Sequence, residues 1–124
     1  MQPRLYSVRI ANELPSVCAV TVFFKAAEGE DRDEETHTLP VNVAHVFEER
    51  ENLFVDNIEV VTEDNTYTFS GPYLNHDSQR ETFFIVQSKH GVELRIRDKE
   101  LKTKYDYSDV IGPSSSDNKD VISY

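Results

Sequence analysis

Four histidines, one cysteine and a large surplus of carboxylates are the residues of this 124-residue chain whose types could do chemistry. The histidines are His37, His45, His76 and His90, and no two of them stand two, three or four residues apart. His37 and His45 are separated by Pro40, whereas zinc ligands usually come closer in sequence or together with cysteines. A zinc-type centre would therefore have to be assembled by the fold. The carboxylates cluster more tightly. Asp31-Arg32-Asp33-Glu34-Glu35 places several in one stretch, and calcium takes six to eight oxygen ligands. Asp31, Asp33 and Glu35 are thus the candidate calcium ligands, and the acidic turn Glu63-Asp64-Asn65 could approach them only through the fold. The stretch lacks the glycine and the ligand spacing of a helix-loop-helix calcium site, so a solvated acidic loop is the simpler expectation.

Other chemistries find less support. The single cysteine, Cys18, sits in Val17-Cys18-Ala19-Val20, an apolar context that raises a thiol's pKa and makes it inert. No G-x-S-x-G run is present. The glycines Gly29, Gly71, Gly91 and Gly112 are too scattered to form a phosphate-cradling loop. The chain carries no motif that specifies a reaction, and a non-enzymatic domain without a resident cofactor is expected.

Charge narrows the partners. Net charge is −10. Residues 28–35 hold six acids against Arg32, and residues 48–64 hold seven acids against Arg50. Residues 80–104 reverse the sign, with seven basic residues against four acids. So acidic a chain is repelled by phosphate backbones and by anionic membranes, and its field favours a cationic partner. The longest apolar runs, such as Phe83-Phe84-Ile85-Val86, fall far short of the roughly 20 residues of a membrane-spanning helix. Met1 to Ala11 lacks the apolar core of a secretory leader, and one cysteine permits no internal disulfide. Both features lead to the expectation of a cytoplasmic protein.

The elements that must position these residues are strands. Apolar residues alternate in Tyr6-Ser7-Val8-Arg9-Ile10, and Cys18, Val20, Val22 and Phe24 continue with the same parity. Asn12 to Ser16 is a turn-type stretch between them. Residues 27–35 read as an exposed acidic loop. Val41, Val43, His45 and Phe47 share one parity, and Pro40 marks an edge or a break between two strands. Residues 48–52 form a charged connection with room for one helical turn. Two hairpins follow, Ile58–Thr62 with Thr66–Phe69, and Thr82–Gln87 with Val92–Arg97. The second places Val92, Leu94 and Ile96 on one face and Glu93, Arg95 and Arg97 on the other.

The count of about seven or eight strands, with turn signals about every 10 residues, predicts an all-β domain. An antiparallel two-sheet β-sandwich fits best, with a small barrel as the second choice. The opening Val8-Arg9-Ile10-Ala11-Asn12, followed by a long second strand, resembles the start of the β-domain of the von Hippel-Lindau tumour suppressor and of the fungal aegerolysins. The likeness ends with these two strands and carries no functional motif.

The domain is expected over residues 1–98. Residues 99–124 read as a polar, largely disordered tail, because a composition rich in Ser, Asp and Tyr cannot bury enough to offset the entropy of ordering. Within it Asp109-Val110-Ile111 recurs as Asp120-Val121-Ile122. Tyr105 and Tyr107 stand among acids, and Tyr124 closes the chain beside a free carboxylate that could dock by strand addition.

The first functional expectation is a protein-interaction domain that can also self-associate. Its working residues would be Arg95 and Arg97 on the basic strand face, Asp31 and Asp33 in the acidic loop, and the tail tyrosines Tyr105, Tyr107 and Tyr124. The alternatives are a calcium-dependent carbohydrate- or lipid-binding β domain and a small enzyme of unknown class.

Overall fold

In a computed structural model of the chain, residues 5–70, 80–89, 91–96, 109–111 and 115–118 are described. They form ten strands: β1 (Ser7–Asn12), β2 (Cys18–Ala26), β3 (Arg32–Leu39), β4 (Ala44–Phe47), β5 (Leu53–Val61), β6 (Asn65–Ser70), β7 (Arg80–Ser88), β8 (Gly91–Ile96), β9 (Asp109–Ile111) and β10 (Ser115–Asn118). Among the described residues there is no helix, and none is long and apolar enough to cross a membrane. The one helical turn thought possible at residues 48–52 is instead a non-helical turn in which Asn52 takes a φ of 63°.

The strands make two open sheets, ordered β4-β1-β7-β8-β9 and β10-β6-β5-β2-β3. This is the expected β-sandwich, and neither sheet closes into a barrel. Pairing is antiparallel throughout except between β1 and β7, which run parallel from Ser7↔Arg80 to Asn12↔Ile85. β1 is therefore flanked on both sides, and Ser7 and Ala11 are buried along with Val8 and Ile10, whereas Arg9 is exposed.

The core lies between the sheets. Cys18, Val20, Val22 and Phe24 of β2, Ile58 and Val60 of β5 and Phe69 of β6 meet Val8 and Ile10 of β1, Phe47 of β4, Phe83 and Ile85 of β7, and Val92 and Leu94 of β8. Burial pushes the Cys18 thiol up to about 11, in keeping with an inert core thiol. β5 shows how the sequence meets this core. Its inward residues change parity, from Leu53 and Val55 to Ile58 and Val60. The register against β2 shifts between Phe23 and Phe24, leaving Asp56 as the extra residue of a bulge. Asp56 is held by Lys25 at 3.2 Å.

Three local expectations are corrected. The acidic loop ends sooner than residue 35, because β3 begins at Arg32. Acids on an edge strand look like a loop in sequence, since the strand has only one covered side. Val41 and Val43 do not continue the inward face of His45 and Phe47 but are exposed. The chain turns there to pass from one sheet to the other, with Asn42 at a φ of 64°. Finally, two segments of the tail are strands: Asp109–Ile111, where the recurring triplet leaves room for one, and Ser115–Asn118, which is expected to be disordered. β9 pairs with β8 and β10 pairs with β6, so each adds the outermost strand of its sheet. Backbone pairing, which needs no apolar side chain, is what composition fails to register.

Candidate functional site

β3 and β4 end their respective sheets and lie in contact at one side of the sandwich. Register fixes which of their side chains point inward. Cys18, Val20, Val22 and Phe24 enter the core, so their partners across the ladder, Leu39, His37, Glu35 and Asp33, share that face. On the other sheet Ile10 pairs with His45 and Val8 with Phe47. The connection through Pro40–Val43 carries the chain between the sheets and brings His45 back over His37. Residues eight apart in sequence thereby become neighbours.

The connection is anchored by Asn12, which is fully buried. Its side-chain amide donates to the carbonyls of Leu39 and Ser16 at 2.8 and 2.9 Å, and its Oδ1 accepts from Leu14 N–H at 2.8 Å. Its backbone is equally engaged, donating to Val43 and accepting from Asn42.

The result is a layered polar cluster at the rim of the core. The His37 and His45 rings stack with centroids 3.5 Å apart and planes inclined by 27°. Phe47 presents its ring to both, at 5.7 and 4.8 Å. The Nε2 atoms of His37 and His45 lie 2.9 and 2.8 Å from the same oxygen, Oε2 of Glu35. The other oxygen of Glu35 accepts from Arg50 Nη2 at 2.6 Å, and Arg50 Nε donates to Asp33 at 2.9 Å. The Arg50 guanidinium rests 4.5 Å from the centre of the Phe24 ring, whose face attracts a cation.

These contacts set the charges. The hydrogen bond from Arg50 holds the Asp33 carboxyl below its ordinary range, aided by the Glu34 N–H. For Glu35, partial desolvation acts to raise the pKa, but hydrogen bonds from Arg50 and His45 outweigh it and the net shift is downward. Arg50 shows the same competition, with desolvation opposed by two carboxylates that shift it upward. Glu35 is thus a carboxylate at neutral pH.

Glu35, His37 and His45 each offer one ligand atom, all within 4.8 Å of one another. Asp31 and Asp33 are not in that group. Asp31 lies at the end of the loop before β3, where its carbonyl accepts from Ala26 N–H, and Asp33 is turned to Arg50. Arg95 lies on the outer face of β8, 3.1 Å from Glu93. Arg97, Tyr105, Tyr107, Tyr124, His76 and His90 lie outside the described residues. Sequence reasoning left any histidine centre to be assembled by the fold without joining His37 to His45, and it missed Arg50. One signal was available for half of it: Glu35 and His37, two apart on a strand, must share a face. No protein-family model, curated protein or solved structure matches this chain.

Proposed function

We propose that this chain is a non-enzymatic interaction domain that receives a basic, extended segment of a partner protein along the open edge of β3. The observation that carries this reading is the edge itself. β3 is eight residues long and ends its sheet, so one row of its backbone donors and acceptors has no neighbouring strand among the described residues. A row of this kind is a template for an incoming strand. The charge along it selects what comes. Glu28, Glu30, Asp31 and Glu34 are exposed on the edge or on the loop leading into it, against Arg32. Two such edges repel each other, whereas a lysine- or arginine-rich segment is attracted.

A cleft of about 320 Å³ beside β3, lined by Phe23, Phe24, Asn57, the carboxylates of Asp33, Glu34 and Asp56 and the guanidinium of Arg32, has more acids than bases and suits one basic side chain of such a segment. An aromatic surface rimmed by carboxylates meets the aliphatic stem and the charge of a lysine or arginine together.

The test is titration of isotope-labelled protein with an eight-residue peptide of alternating lysine and valine, followed by amide chemical shifts. Shifts confined to residues 28–39, the adjoining β2 and Asp56–Asn57 of β5, weakening as salt is raised, are expected. Reversal of two exposed charges, Asp31→Lys with Glu34→Lys, is expected to weaken binding about tenfold, since each exposed pair contributes at most about 1 kcal/mol. Shifts that map to the β8 face, or binding indifferent to both salt and charge reversal, would remove the reading.

A further inference from the structure

The geometry points to a binding site for one divalent transition-metal ion of the zinc class, with Glu35, His37 and His45 as its ligands. Three donors of the right chemistry converge on one point from two different sheets. Two imidazole nitrogens and one carboxylate oxygen form a set that zinc accepts in sites with three protein ligands and an open position. Calcium and magnesium, which take oxygen ligands, are poorly served by two imidazoles.

The distances are close to those a metal needs. Zinc sits about 2.0–2.1 Å from nitrogen and oxygen ligands, so tetrahedral neighbours stand about 3.3 Å apart. The two imidazole nitrogens lie 2.9 and 2.8 Å from Glu35 Oε2. Opening these contacts by about half an ångström, and splaying the stacked rings so that the ion lies in the plane of each imidazole, makes room for it. Each ring then carries its proton on Nδ1 and offers the lone pair of Nε2, so no group need be oxidised, cleaved or transferred.

The surroundings keep the three ligand groups together. Arg50 occupies Oε1 of Glu35 and leaves Oε2 to the histidines, the kind of outer contact that orients a ligating carboxylate. The Phe47 ring backs both imidazoles. Arg50 brings a positive charge close by, but Asp33 and Glu35 together exceed it, so the cluster is anionic before the ion arrives. The site is also reachable. The side chains of His37, His45 and Glu35 are 42%, 31% and 23% exposed. The reading is independent of the proposed partner strand, because it concerns the inward face of β3 and not its hydrogen-bonding edge.

The experiment is calorimetric titration of the untagged full chain with zinc chloride. Alongside it, cobalt(II) is added while its visible absorption is followed, with calcium chloride as the control. One equivalent of zinc is expected to bind, calcium is not, and cobalt is expected to take on the intense spectrum of low coordination number. His37→Ala, His45→Ala and Glu35→Gln are each expected to weaken zinc binding by about tenfold or more. Replacing His76 and His90 together is expected to leave it unchanged. Should a variant fail to fold, zinc added to the wild type still decides the matter, because the imidazole ¹⁵N shifts of His37 and His45 must move. Absence of zinc binding, binding retained without His37 and His45, or movement of only the other two imidazoles would each overturn the assignment.

Discussion

Arg50 is the residue on which the polar rim turns, because its guanidinium satisfies two carboxylates and covers an aromatic ring in the same position. Its contribution depends on pH, with a sign the geometry fixes. A carboxyl whose pKa is lower in the folded chain than in the unfolded one adds stability above the unfolded value and gives it up as pH falls through the folded value. Glu35 and Asp33 are both shifted down, from 4.5 and 3.8. The stability gap between the wild type and Arg50→Met should therefore be level above pH 4.5 and narrow as the pH falls below the starting values of Glu35 and then Asp33. Urea denaturation of both proteins at stepped pH checks this. A gap unchanged through that window would mean that Arg50 acts through its packing on Phe24 alone.

At the scale of the element, the passage from β3 to β4 decides whether a site exists at all. It crosses between sheets, and its conformation is held from the side by Asn12 rather than by its own residues. Asn12→Ala removes three side-chain hydrogen bonds in a fully buried position and should cost about 2–4 kcal/mol in urea denaturation. Asn12→Asp should cost more, since it keeps the acceptor for Leu14 but loses both donors and buries a charge. In Asn12→Ala the contacts of His45 with His37 should loosen before the sheets separate, a change visible in the imidazole resonances. A stability loss under about half a kcal/mol would show that the turn holds itself.

The whole molecule has two unlike sides. On one, β3 and β4 have open edges among the described residues, that of β3 lined with acids. On the other, β9 and β10 cover β8 and β6 through backbone pairing. Deleting residues 105–124 uncovers both of those edges at once. Exposed edges pair with other chains, so light scattering should report a rise in mass with concentration for the shortened chain relative to the full one. Equal masses at every concentration would mean that the edges of β6 and β8 are protected by other means. This experiment also separates association through uncovered edges from the salt-sensitive attraction expected at β3.

The sequence by itself determined the class of the fold. Period-two alternation in β1, β2, β6 and β8 arises from local geometry, because successive side chains of a strand face opposite ways whatever the strand pairs with. The inert thiol was legible for the same reason, since Cys18 shares the parity of Val20, Val22 and Phe24. The parity change in β5 was present in the letters, but only pairing with β2 turned it into a bulge at Asp56. The strands β3, β9 and β10 were obscured because an edge strand is stabilised by backbone hydrogen bonds and needs little apolar surface. The site was obscured more deeply. His37 and His45 meet because β3 and β4 end different sheets that stack face to face, and Arg50 joins them from a turn. Sheet order and stacking are set by the sum of contacts distant along the chain. Only the tertiary structure could bring two histidines and a carboxylate to one point, since no spacing in the sequence encodes which edges lie together.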